Sequence, residues 1–291
     1  MITVIIPAHN GAKFLDRFSL PSLAEQSLAD WEALVVDDGS TDETETVVKR
    51  WQRKEPRLRY LRQPENHGLA AALNTGVLAA RGDIIAFLEQ DDIWLPEKLN
   101  RQIDRLNAGF QLTDCRFFFY DPIRHRLQGL GGGNFSTLIG RRQAVEMLFP
   151  LPEDKSLLGI EDGIIAGRLA LLGADQSLQG SKVCHMTEPL VIVSRHHDSL
   201  SGQGEATSYI ARYQAAADFF ASEKSTALDK LKRFWQRQKR ANRFLSLFPP
   251  SLQMNLRDIK FRLQRIRLTR EWKIIKNGPE HRAARRIIDK L

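Results

Sequence analysis

Apolar and polar positions come in alternating blocks along the first hundred residues of the chain. The runs from Ile2 to Ile6 and from Ala33 to Val36 are short, branched and nearly all apolar, as expected of strands covered on both faces. Asp83 to Leu88 is a third such run, and Leu58 to Leu61 a weaker fourth. Helical spacing fills the intervals. Ser40 followed by Glu43 has the form of a capping box ahead of Val47, Val48 and Trp51. Leu69 to Ala80 follows an Asn66-His67-Gly68 turn, and Pro96 stands where a first helical turn should begin, ahead of Leu99, Ile103 and Leu106. Pro21 interrupts the stretch from Phe14 to Leu28, which predicts a kink or two short helices. Strands alternating with helices predict β-α-β units, and therefore an α/β fold with a mostly parallel sheet.

In such sheets ligands bind at the carboxyl ends of the strands. Three polar clusters fall there: Pro7-Ala8-His9-Asn10, Asp37-Asp38-Gly39-Ser40 and Glu89-Gln90-Asp91-Asp92. The last is the most telling, because an apolar run stops abruptly on three carboxylates in four positions. Acids crowded at a strand end are costly unless they meet a cation.

Composition narrows the class. At 291 residues and 42% hydrophobic content, the chain can bury one large domain, or a domain with an appendage. Cys115 and Cys184 are too far apart for a disulfide framework or a zinc site, and a reducing compartment follows as the default. Met1 leads almost directly into a strand-like run too short for a signal-peptide core, and no apolar run approaches the roughly 20 residues of a membrane-spanning helix. The expected location is cytoplasmic, or peripheral on the inner face of the membrane. The net charge of +8 is unevenly distributed: Ser225 to Leu291 carries 19 Lys and Arg against 5 Asp and Glu, leaving 24 against 30 in the rest.

The motifs V-I-I-P-A-H-N from Val4 to Asn10, V-V-D-D-G-S-T-D from Val35 to Asp42, N-x-G from Asn66 to Gly68, and F-L-E-Q-D-D-I-W-L-P-E-K-L from Phe87 to Leu99 agree in order and spacing with one known family. They resemble the inverting family 2 glycosyltransferases. The resemblance implies a GT-A fold, a Rossmann-like, mostly parallel sheet flanked by helices. Residues 1–105 would be its nucleotide-sugar-binding half and 106–205 its acceptor-binding half, with 206–291 a basic helical extension. It implies a nucleotide-sugar donor, typically a UDP-sugar, with Mn²⁺ or Mg²⁺ as cofactor and a glycan or lipid-linked acceptor in polysaccharide or cell-envelope glycan synthesis. Hard oxygen ligands suit those cations, and one or two protein carboxylates are usually enough. By the same resemblance Asp91 is the metal ligand, while Glu89, Gln90 and Asp92 approach the donor and Asp38 meets the nucleobase. Asp37 joins Asp38 in this, and the residues alone would let Asp37 and Ser40 organise the turn and the helix start; both can hold at once. Pro7, Ala8 and His9 line the base or ribose pocket. This chain departs from the family in opening its acidic triplet with Glu89 rather than Asp, and in carrying Leu73 before Asn74 where Arg is common.

In the second half, the stretch from Leu158 to Gly173 resembles the family's helix that opens on Glu-Asp, with Asp162 as the catalytic base and Glu161 as a neighbour that orients it or binds the acceptor. Acids in a first helical turn are also favoured by the helix dipole alone. Ile139-Gly140-Arg141-Arg142 resembles a strand ending in a basic pair, and Arg195 and His196 lie in a segment that could approach the diphosphate. The glycine-rich run from Leu130 to Phe135 would suit a lid or a close-approach loop. Leu252, Leu256, Ile259, Leu263 and Ile266 form an apolar stripe flanked by basic residues. Such a helix can lie on an anionic membrane or pack on the domain. No nucleic-acid-binding module is recognised, so no nucleic acid is expected. The alternative reading is a noncatalytic nucleotide-sugar or glycan-binding protein on the same fold, for which Glu89 and Leu73 are the support.

Overall fold

The computed structural model describes residues 1–154, 159, 161–174, 183–194, 275–276 and 278–291. Strands β1 (Ile2–Ala8) and β2 (Trp31–Asp37) are buried along their whole length, and β3 (Leu58–Arg62) and β4 (Ile84–Phe87) complete a parallel set in the order β3-β2-β1-β4. Burial on both faces is what their unbroken apolar character requires. The chain runs from β1 outward to β3 and then returns to the other side of β1 with β4. This reversal opens a crevice at the carboxyl end of β1. Its mouth widens because β1 pairs with β2 as far as Ala8↔Asp37 but with β4 only as far as Ile5↔Phe87.

The sheet continues with antiparallel pairs. β8 (Ile139–Arg141) lies antiparallel to β4, β6 (Leu112–Asp121) antiparallel to β8, β9 (Val183–Ser194) parallel to β6, and β5 (Asp92–Trp94) antiparallel to β9, while β7 (Arg126–Gly132) pairs with β6. Parallel pairing therefore dominates the first half of this nine-stranded sheet, and the second half is mixed. Four strand spacings separate β4 from β5, about 19 Å in a flat sheet. The link from Phe87 to Asp92 reaches at most about 18 Å when fully extended. It is shorter than that, since the Asp92 N–H donates to the Glu89 carbonyl at 3.2 Å in a turn. The sheet must curl, and the curl brings β6 and β9 round toward the crevice.

Helices cover both faces. On one side α4 (Leu69–Ala79), α6 (Arg142–Glu146) and α7 (Glu161–Ala174) pack through Leu73, Val77, Val145, Ile164 and Ile165. On the other, α3 (Thr44–Gln52) and α5 (Lys98–Asn107) bury Val47, Val48, Leu99 and Leu106. Residues 12–24 form the irregular segment expected around Pro21: α1 (Ala12–Phe14), a π-helical turn (Leu15–Ser19) and α2 (Leu20–Ala24). The capping box does not form. The helix begins at Thr44 without a side-chain cap from Glu43, because the Ser40 hydroxyl accepts the Asn10 N–H at 2.9 Å. Asp42 takes over locally, accepting the Thr44 N–H at 3.0 Å. Helix α5 likewise starts at Lys98, two positions after Pro96.

The last helix, Pro279–Ile288, packs on the domain. Ala284 and Ile288 are fully buried against Phe18, Ile93, Leu95, Phe118 and Ile192. Arg101 pairs with Glu280 at 3.3 Å, and the Arg17 guanidinium donates to the Leu291 carbonyl at 2.7 Å. The apolar face of this basic helix is thus used in the core. The stripe from Leu252 to Ile266, like Arg195 and His196, lies outside the described residues. Among the described residues no helix is long and apolar enough to cross a membrane.

Truncating Ile288 leaves a cavity under β5 and β9. Ile288→Ala should therefore lower unfolding stability by about 2–5 kcal/mol, read as a lower denaturant midpoint at unchanged slope.

Candidate active site

The three strand ends are tied into one rim. The Gln90 side chain spans two of them: its Oε1 accepts the His9 N–H at 3.0 Å, and its Nε2 donates to the His9 carbonyl at 3.3 Å. The contact demands glycine at position 11, where a Cβ would stand 2.1 Å from Gln90 Oε1. His9 Nδ1 lies 2.8 Å from the Asp38 carbonyl, joining the β1 end to the β2 end.

The two aspartates after β2 have separate tasks. Asp37 is fully buried, accepting the Ser40 N–H at 2.8 Å and the Tyr60 hydroxyl. It organises the turn. Asp38 accepts the His67 and Gly68 N–H groups at 2.8 and 2.7 Å and holds the loop that starts α4. Gly39, at φ +66°, lets the turn pass so close to this loop that a Cβ would lie 2.6 Å from the Glu65 carbonyl carbon. Each Asp38 oxygen keeps a lone pair beyond these bonds. Pro7 and Ala8 are buried in the last turn of β1 pairing, directly beside this rim.

At the end of β4 the acids gather around one amide. Asn134 Nδ2 donates to Glu89 Oε2 at 2.6 Å and to Asp92 Oδ2 at 2.9 Å. The next residues continue the bridge, since the Phe135 N–H donates to Asp162 Oδ1 at 3.1 Å and the Ser136 hydroxyl accepts the Glu89 N–H at 2.9 Å. The segment 134–137 is thus the piece that brings Glu89, Asp92 and Asp162 together, although they arise from β4, the start of β5 and the first turn of α7. Of the glycine-rich run ahead of it, Leu130–Gly132 is strand paired in β7, where Gly131 packs on the Phe117 ring, and Gly133 makes the turn at φ +85°. Asn74 steadies the approach to α7 by accepting the Leu151 N–H at 2.7 Å and donating to the Leu151 carbonyl at 2.9 Å. Leu73 is buried core. Arg141 and Arg142 donate to the Leu106, Ala80 and Gly82 carbonyls and serve the scaffold.

Crowding raises the acids' pKa values. Burial, and then the charges of Asp92, Asp162 and Asp91, push Glu89 well above the usual carboxylate range. Asp92 rises to about 7 through burial and the Asp91 charge, against the pull of Ser136 and Asn134. Asp162 also rises to about 7, through burial and Glu161, against the Phe135 N–H. These groups suit a hard divalent cation: Glu89, Asp92 and Asp162 have their ionisation opposed by burial and by neighbouring charge, Asp91 lies close enough to act on Glu89 and Asp92, and the Asn134 Oδ1 beside them is buried without a partner. Among the described residues no three His, Cys, Asp or Glu side chains form a ready-made cage. A cation held by one or two carboxylates, with phosphate and water oxygens completing its shell, matches that arrangement.

A cleft opens beside Asp162, walled by Asn134, Phe135, Leu138, Ile165 and Leu169.

Residues 3–145 match the family described as Glycosyl transferase family 2. Residues 3–145 are thus a family 2 glycosyltransferase segment. An uncharacterized glycosyltransferase of Nostoc sp. is 39% identical over 114 residues, 39% of this chain and 34% of the relative. The Escherichia coli UDP-Glc:alpha-D-GlcNAc-diphosphoundecaprenol beta-1,3-glucosyltransferase WfgD is 36% identical over 106 residues, 36% of this chain and 41% of the relative. Each match therefore takes in less than half of the relative's own length. Among solved structures, the mannosyltransferase PcManGT of Pyrobaculum calidifontis, in complex with GDP-Man and Mn2+, aligns over 99% of this chain and 84% of its own, with a TM-score of 0.60 and 21% identity. The shared architecture is that of the GT-A fold.

The family 2 assignment absorbs the strand-end motifs, but Asn134 and Ser136 carry no motif of their own. Their partners lie 45 and 47 residues away. The nearest signal in the sequence was the glycine run just before them, in which Gly133 takes the left-handed φ of +85°. Asn134→Ala removes both donors from the paired acids and should cost about 1.5–3 kcal/mol of unfolding stability, measured by denaturant titration.

Proposed function

We propose that this family 2 glycosyltransferase is a metal-dependent inverting enzyme. It moves a sugar from a nucleotide-sugar, a UDP-sugar, to a hydroxyl of a glycan or lipid-linked acceptor in cell-envelope glycan synthesis. The observation that carries the reading is the convergence of the β4-end acids with Asp162 through Asn134 and Phe135. The reading draws support from the UDP-Glc for which the E. coli relative is named and from the Mn2+ bound in the complex of the archaeal mannosyltransferase.

In this reading Asp91 holds Mn²⁺ or Mg²⁺, with Asp92 and Glu89 beside it. The cation, when bound, supplies positive charge to the diphosphate. The nucleoside sits on the rim formed by Pro7, Ala8, His9, Asp37 and Asp38, with Asp38 accepting a base N–H, and Gln90 holds the rim to the acidic end. Arg195 and His196 are assigned to the diphosphate by resemblance alone. Asp162 takes the proton of the acceptor hydroxyl as the oxygen attacks the anomeric carbon. The bond to the diphosphate oxygen breaks on the opposite face, its electron pair leaves with the diphosphate, and the configuration inverts. Burial, and then the charge of Glu161, keep the pKa of Asp162 high. The basic segment beyond Ser225 is assigned to an anionic membrane surface carrying the acceptor.

Two measurements test this. Release of UDP from UDP-sugars should require Mn²⁺ or Mg²⁺, stop on chelation, and fall by about 100-fold or more in Asp91→Ala and Asp162→Asn; equal rates in all three proteins refute the assignments. The base must be ionised, and its pKa is raised by burial and Glu161, with Glu89 nearby and the Asp114–His185 pair lining the same cleft. Log kcat should therefore fall with unit slope as pH drops through about 7. For the membrane assignment, the protein should sediment with anionic liposomes at low salt and be released at high salt, and absence of binding at low salt contradicts it.

A further inference from the structure

The cleft that Asp162 lines is also lined by a pair that no motif announces. Asp114 on β6 and His185 on β9 are register partners, and His185 Nδ1 lies 2.9 Å from Asp114 Oδ2. The side chain of Asp114 is 17% exposed and that of His185 is 70% exposed, so a sheltered carboxylate anchors an imidazole that stands open. Both line the same cleft as Asp162 and Asn134. The ladder breaks immediately after them: the next pair is Arg116↔Pro189, two positions on along β6 but four along β9. A bulge of this kind re-aims side chains, and bulges gather beside active sites. Pro189, which has no N–H to give the ladder, fixes the break at this point, directly after the pair.

We propose that Asp114 and His185 form the acceptor subsite and bind the hydroxyls of a neutral sugar. This rests on the glycosyl-transfer reading above. With Nδ1–H directed at the carboxylate, Nε2 is left as an acceptor for a hydroxyl O–H, and the Asp114 carboxylate accepts from a neighbouring one. Leu138, Ile165 and Leu169, which line the same cleft, offer an apolar surface for the C–H face of a pyranose ring. Charge selects against an anionic ligand at this spot. Asp114 itself, Asp162 and Glu161 are all carboxylates, and burial already raises the pKa of Asp114 despite His185. A sugar held here presents a further hydroxyl toward Asp162, so the pair would decide which acceptor is positioned, while the proton transfer stays with Asp162.

The test follows the histidine ring resonances of the full-length protein by ¹H–¹³C correlation, with His185→Gln identifying the His185 signal. Methyl glycosides of glucose, galactose, mannose and N-acetylglucosamine serve as probes. At least one should shift the His185 signal saturably, and Asp114→Asn should weaken that binding by about tenfold. In acceptor-dependent transfer both variants should raise the KM of the acceptor with little change in kcat or in acceptor-free donor hydrolysis, which a merely structural clip between β6 and β9 would not produce. No shift with any glycoside, or unchanged binding in Asp114→Asn, overturns the proposal. The two readings fail separately: a shifting His185 without transfer from any nucleotide-sugar removes the enzyme and keeps the sugar site, whereas transfer with an unmoved His185 does the reverse.

Discussion

Like charge in a sheltered place is the constraint around which this protein is arranged. Glu89, Asp91, Asp92 and Asp162 come from three elements yet share one locality, and burial with mutual repulsion holds three of them above the ordinary carboxylate range. A fold selected for stability alone would separate them. Here the scaffold does the opposite, using one side-chain amide, one backbone N–H and one hydroxyl from residues 134–136 to hold them together. Such an expense is intelligible where a cation and a diphosphate complete the charge balance.

The topology explains how the acids meet. Reversal of strand order at β1 opens the crevice, and the short link after β4 forces the sheet to curl until its mixed half faces that crevice. The curl sets the ends of β1, β2 and β4 against α7, β6 and β9. The final helix closes the far edge, packing Ala284 and Ile288 over β5 and β9. Its burial links the end of the chain to the strand that follows the acidic triplet.

The parts legible in the sequence were those governed by local pattern. Strands β1, β2 and β4 are buried on both faces and read as apolar runs, and α4 was announced by the Asn66-His67-Gly68 turn. Glu161 and Asp162 were anticipated in the first turn of their helix, and it is there that they stand. Failures came where a distant partner decided the outcome. Ser40 has the local credentials of a cap, but its hydroxyl is taken by the Asn10 N–H from the neighbouring strand end. The turn-forming role anticipated for Asp37 with Ser40 holds, but the hold of Asp38 on the His67 and Gly68 amides depends on partners 29 and 30 residues away. Asn134, His185 and the mixed pairing of the second half were invisible for the same reason, since cross-strand register is not written in any short window.

The departure at Glu89 also acquires a physical setting. Its longer side chain is held by Asn134 in the same hydrogen-bonded unit as Asp92, so the extra methylene is accommodated within the cluster. Calorimetric titration of Mn²⁺ into the full-length protein with and without UDP is the most direct test of the account. It predicts a single cation bound far more tightly when UDP is present, with that binding lost in Asp91→Ala. Equal affinity in the wild type and Asp91→Ala, or no effect of UDP, would contradict it.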